Sequence, residues 1–107
     1  MKCQWKKKVT NGVWEEPFEV EKMHDNYGLF MFIFGIESLR GEDLKHSQEY
    51  KDFETKWVNK HKVGFDQEVG NQTIHVSSKN YLVKKPDGTF QTISKAFFEG
   101  FIEQVTN

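Results

Sequence analysis

Ten consecutive residues, Tyr27-Gly28-Leu29-Phe30-Met31-Phe32-Ile33-Phe34-Gly35-Ile36, carry no charged side chain. The run is about half the ~20 apolar residues needed to cross a membrane, so it has to be buried inside a folded domain. It holds aromatic and β-branched residues and two glycines, and it shows no alternation. That is the pattern of a strand covered on both faces. The run is therefore expected to form the central strand of a sheet, with other elements packed over it. A chain of 107 residues has room for one such core, so a single domain over 1–107 is expected.

The flanking segments supply candidates for the rest of the sheet. Asn11-Gly12 tolerates the positive φ of a type I′ turn and lies between runs rich in β-formers, which predicts a hairpin. A two-residue loop places Thr10 opposite Val13, Lys8 opposite Glu15, Lys7 opposite Glu16 and Trp5 opposite Phe18. Lys7 and Pro17 suggest that this hairpin lies near a sheet edge, because proline has no N–H for a ladder. Further strands are expected at Thr73–Val76, Tyr81–Lys84 and Thr89–Ile93. The last two are joined through Pro86-Asp87-Gly88, whose residues suit a tight turn.

One amphipathic helix is expected at about 42–62, with Tyr50, Phe53, Trp57 and His61 on its inward stripe and Asp52 and Lys56 as an i,i+4 pair. Gly41 and Ser47 are both plausible caps, and Gly64 is a plausible stop. The tail from Ser94 to Val105 suits either a helix capped by Ser94 or a short helical turn followed by a strand from Gly100. The fold class that results is α+β: a mostly antiparallel sheet of about five to six strands with one helix packed across it.

Around the C-terminal hairpin, Tyr81-Leu82-Val83-Lys84, Gly88, Phe90 and Phe98-Glu99 resemble the ending of PGDYG-type proteins, which are small phage- or prophage-encoded domains. Glu16-Pro17-Phe18-Glu19-Val20-Glu21 is similar to the opening strand of that family. Ser78-Lys79-Asn80 stands where the family has Pro-Gly-Asp. The resemblance implies a small α+β domain of viral type and brings no catalytic residue with it.

Nothing in the sequence forms a catalytic motif. His24, His46, His61 and His75 lack the spacing of a zinc site, and neither a metal nor another cofactor is expected. Cys3, the one cysteine, falls on an expected edge strand without the electropositive setting that activates a thiol. The lone cysteine, a mean hydropathy of −0.73 and the absence of an apolar segment after Lys6-Lys7-Lys8 lead to the expectation of a cytoplasmic protein with no membrane contact.

Charge is graded along the chain. Residues 1–10 carry +4, residues 11–54 carry −7 and residues 55–107 carry +2. The acidic middle makes Glu42, Asp43 and Glu49 the candidate partner-binding residues, although Arg40, Lys45 and Lys51 are interspersed among them. The alternative is a single-stranded nucleic-acid binder using Trp5, Lys6, Lys7 and Lys8, where an aromatic and lysines interleave on a β-surface. A sequence pI near 6.4 leaves little net field to draw a polyanion. Taken with the setting implied by the resemblance to PGDYG-type proteins, the expected function is a noncatalytic phage-type accessory protein that binds and inhibits a host protein, as in counter-defence.

Overall fold

Asp25 begins a helix. Its carboxylate accepts from the backbone N–H groups of Tyr27 at 3.3 Å and Gly28 at 3.0 Å, satisfying two of the donors that a helix N-terminus leaves open. Gly35, at φ 76°, ends the helix by placing its N–H on the Met31 carbonyl at 2.8 Å. The segment expected as the central strand is thus helix α1 (Asn26–Phe34). A run that is apolar at every position has no period with which to separate helix from strand. Only Ile33 among these nine residues is β-branched, and the aspartate cap and the glycine stop decide the outcome. α1 buries Leu29, Phe30 and Ile33 and half-buries Tyr27, Met31, Phe32 and Phe34.

The chain is seen here in a computed structural model that describes residues 1–6, 16–35 and 47–105. The other elements are β1 (Lys2–Trp5), β2 (Phe18–Lys22), α2 (Gln48–Lys60), β3 (Phe65–Val69), β4 (Gln72–Val76), β5 (Asn80–Lys84), β6 (Phe90–Ser94), α3 (Lys95–Phe101) and β7 (Ile102–Gln104). Five strands form an antiparallel sheet in the order β6-β5-β2-β1-β7, and β3 and β4 pair as a separate hairpin. The architecture is α+β, with three helices among the described residues where one was expected. None of these helices is long and apolar enough to cross a membrane.

β1 and β2 lie inside the sheet, so the expectation of an edge position for the first hairpin is corrected. The pairing is Cys3 with Phe18, two residues away from the expected Trp5 with Phe18. A shift of two keeps every side chain on its face. Trp5 and Phe18 still meet, with ring centroids 6.1 Å apart. β1 is held on its other side as well, where Trp5 pairs with Ile102 and Cys3 with Gln104 of β7. The Asn11-Gly12 turn and its Lys8–Glu15 and Lys7–Glu16 pairings lie outside the described residues.

α2 starts at Gln48, where the Ser47 hydroxyl accepts the Tyr50 N–H at 3.1 Å; the stretch 42–46 lies outside the described residues. The expected ion pair between Asp52 and Lys56 is not made. Asp52 accepts from the Gln48 side chain at 2.8 Å, and Lys56 Nζ lies 3.4 Å from Gln67 Oε1. Gly64, at φ 100°, closes the helix with its N–H on the Lys60 carbonyl at 2.7 Å, which is the left-handed position that favours glycine.

Gly70-Asn71 makes a two-residue loop with positive φ at the glycine alone, as in a type II′ turn, and so creates the unexpected strand β3 as partner to the expected β4. The Pro86-Asp87-Gly88 turn forms as expected, with Gly88 N–H on the Lys85 carbonyl at 2.9 Å and Thr89 N–H on Asp87 Oδ1 at 2.9 Å.

The tail combines features of its two expected forms: helix α3, capped by the Ser94 hydroxyl, runs through Phe101, and β7 follows from Ile102 and not from Gly100. α3 connects the two edge strands of the sheet. Four strand spacings in a flat sheet would separate them by roughly 19 Å. Seven helical residues span only about 10 Å. The sheet therefore coils around α3, and the contacts agree: Phe97 meets Trp5 of β1 edge-on at 5.9 Å while Phe98 stacks on Tyr81 of β5 at 4.4 Å.

The sheet thus has two apolar faces. One is Cys3, Phe18, Val20, Tyr81, Val83, Ile93 and Ile102 beneath α3. Leu82, pointing the other way, joins Met23 and the cores of α1, α2 and the β3–β4 hairpin.

Candidate protein-binding surface

The stripe of α2 splits along its length. Tyr50 and Phe53 are buried against Phe30, whose ring centroid lies 5.2 Å and 5.5 Å from theirs, and Phe53 meets Phe65 of β3 at 5.7 Å. One and two turns further on, Trp57 and His61 are only half-buried. They stack on each other at 5.2 Å and 13°, and His61 Nδ1 lies 2.7 Å from the Trp57 carbonyl. That bond makes Nδ1 the protonated nitrogen of a neutral His61, because a carbonyl can only accept.

Beside this stack, two valines stand in solvent. Val58 is 66% exposed on the flank of α2, and Val63 is 82% exposed in the turn beyond it. Lys56, Lys60 and Lys62 lie close to them in sequence, and these three and Lys79 are all exposed. Lys79 is brought there by its neighbour Ser78, whose N–H donates to the His61 carbonyl at 2.8 Å. The β3–β4 hairpin adds His75, which faces Asp66 across the strands with Nδ1 3.0 Å from Oδ1. The His75 ring lies over Gly64, where a Cβ would come within 2.8 Å of it. The C-terminal end of α2 thus exposes two valines and several lysines beside the β3–β4 hairpin.

The sequence reasoning missed Val58 and Val63. The available signal was that Val58 falls off the Tyr50-Phe53-Trp57-His61 stripe, which leaves a β-branched apolar side chain on the outer half of the helix.

The expected site residues are placed differently. Glu49 is exposed in the first turn of α2, where a negative charge complements the helix N-terminus. It lies fourteen positions from Val63, about 20 Å along a helix axis, so the two mark separate surfaces. Glu42 and Asp43 lie outside the described residues.

Of the nucleic-acid candidates, Trp5 is half-buried between Phe18 and Phe97, so the expected stacking platform is taken up by the core. The Lys6 ammonium donates to the Glu99 carbonyl in α3 at 2.5 Å. Lys7 and Lys8 lie outside the described residues.

His24 is exposed, with Nδ1 3.1 Å from the Lys22 carbonyl, and His46 lies outside the described residues. Among the described residues, no group of three or more His, Cys, Asp or Glu side chains could hold a metal ion.

Cys3 is 0% exposed on β1, an interior strand, which corrects its expected edge position. Burial pushes its thiol up to about 11 from an ordinary 9.0, with Glu19 adding to the rise and the N-terminal ammonium opposing it. A thiol held protonated in the folded state stabilises the fold fully below the unfolded value, and that contribution is lost as pH rises through the folded one. The urea midpoint is therefore expected to fall between pH 9 and 11, with Cys3 responsible for up to about 3 kcal/mol and Cys3→Ala flattening the decline. Tyr50, also pushed up by burial and by Glu54, adds to the loss at the alkaline end. An equally steep decline in Cys3→Ala would remove Cys3 as its source.

Comparison with protein families, characterised proteins and solved structures finds no match to this chain.

Proposed function

We propose that this domain is a noncatalytic protein-binding module and that the C-terminal end of α2 is its contact surface. The observation that carries this reading is the exposure of Val58 on the flank of α2 and of Val63 in the turn that follows it. Two valines held in solvent beside a half-buried aromatic stack destabilise nothing by themselves, but they provide apolar area that another protein can cover. The surrounding lysines form the polar rim that such contacts have. In the biological setting implied by the resemblance to PGDYG-type domains, the partner is a host protein that the module inhibits in the host cytoplasm.

A photo-crosslinking amino acid placed at position 58 or 63 is expected to give a discrete adduct with a second protein in producing cells. The same amino acid at Thr73, exposed on β4, is expected to give none. Adducts at all three positions alike, or at none, would count against a defined surface.

The nucleic-acid reading is weakened by the burial of Trp5 between Phe18 and Phe97 and by the use of Lys6 on Glu99. What remains of it rests on Lys7 and Lys8.

A further inference from the structure

We infer that the segment received by the C-terminal end of α2 is acidic, with carboxylates placed around apolar side chains; this rests on the reading of that end as a protein-binding surface. Among the described residues, no carboxylate lies within 4.0 Å of the ammonium groups of Lys56, Lys60, Lys62 or Lys79. The acids of α2 nearest them face other groups: Asp52 receives the Gln48 side chain at 2.8 Å and Glu54 receives Asn26 at 3.4 Å, while on β3 Asp66 faces His75 at 3.0 Å. From Thr55 to Phe65 the chain has no acidic residue at all. Lysines without an ion-pair partner near two exposed valines disfavour a partner that brings cations and favour one that brings anions together with something to cover the valines.

Two other anionic partners fit less well. Single-stranded nucleic acid needs an open aromatic face for its bases, and the Trp57 ring is half-buried and stacked on His61. An anionic membrane needs a broad apolar helix face, whereas the outward face of α2 presents Gln48, Asp52, Thr55 and Asn59.

The test is fluorescence anisotropy on the full chain at physiological salt with four probes: a short amphipathic helix of leucines and glutamates, the same peptide with glutamine for glutamate, a single-stranded oligonucleotide, and vesicles rich in phosphatidylserine. The glutamate peptide is expected to bind, to weaken as salt rises, and to lose about tenfold or more in affinity with Lys60→Glu/Lys62→Glu. Circular dichroism of that variant should match the wild type, since both side chains are exposed. Equal binding of the glutamine peptide, tighter binding of the oligonucleotide or the vesicles, or no binding of the glutamate peptide would overturn the acidic assignment. If crosslinks still form at positions 58 and 63 in those cases, the protein-binding reading survives without it. Self-association of the wild-type chain that Val63→Asp abolishes would make the occupant a second copy and overturn it too.

Discussion

Phe53→Ala is expected to lower the folding stability by ~3 to 5 kcal/mol, most of what a domain of this size has in hand. Phe53 is 1% exposed, and its ring is held between Phe30 of α1 and Phe65 of β3, so its removal opens a cavity where three elements meet. The same change one turn later is expected to cost about half as much. Trp57 is larger than Phe53, but it is only half-buried, packing against the rim of that core and stacking on the neighbouring His61. Urea denaturation of the two variants side by side checks the ordering. A Trp57→Ala loss equal to or greater than that of Phe53→Ala would place the C-terminal end of α2 in the core and remove the surface built on it.

Leu82→Ala is expected to cost ~2 to 5 kcal/mol. Leu82 is fully buried and points away from its strand neighbours Tyr81 and Val83. With Met23 it links the β1–β2–β5 side of the molecule to the layer formed by α1, α2 and the β3–β4 hairpin. Shortening it leaves a void at that junction. The urea midpoint should fall with little change in slope, because the surface exposed on unfolding stays nearly the same. An unchanged midpoint would mean that the helical layer does not rest on this face of the sheet.

The readability of the sequence varied with how local the determining physics is. Pro86-Asp87-Gly88 and Gly64 could be read because each requires a particular backbone conformation, and the residues present suit it. The inward stripe of α2 was readable over Tyr50 and Phe53 because a polar opposite face gives the helix a period. α1 was not readable from its apolar run, since an unbroken apolar stretch carries no period; the information lay in Asp25 just before it, whose carboxylate caps the helix. The edge position assigned to the first hairpin failed for a nonlocal reason. β7, from the far end of the chain, pairs with β1, and β5 pairs with β2, so neither strand is left at an edge.

The candidate site followed the same rule. Trp5 has the composition of a nucleic-acid platform, and only the packing of Phe97 from α3 shows where its ring goes. Val58 and Val63 are ordinary residues in a sequence and become informative once their exposure is known. Lys79 joins the patch through a backbone bond between its neighbour Ser78 and His61, which sequence spacing does not reveal.

If the exposed valines at the end of α2 meet another protein and do not hold the fold together, the Val58→Asp/Val63→Asp double variant separates the two roles once its urea midpoint is measured alongside crosslinking from a third nearby position, Lys62. Stability within about 0.5 kcal/mol of wild type, as for other surface changes, is expected together with loss of the adduct. A variant that unfolds, or one that keeps its adduct at full yield, would contradict it.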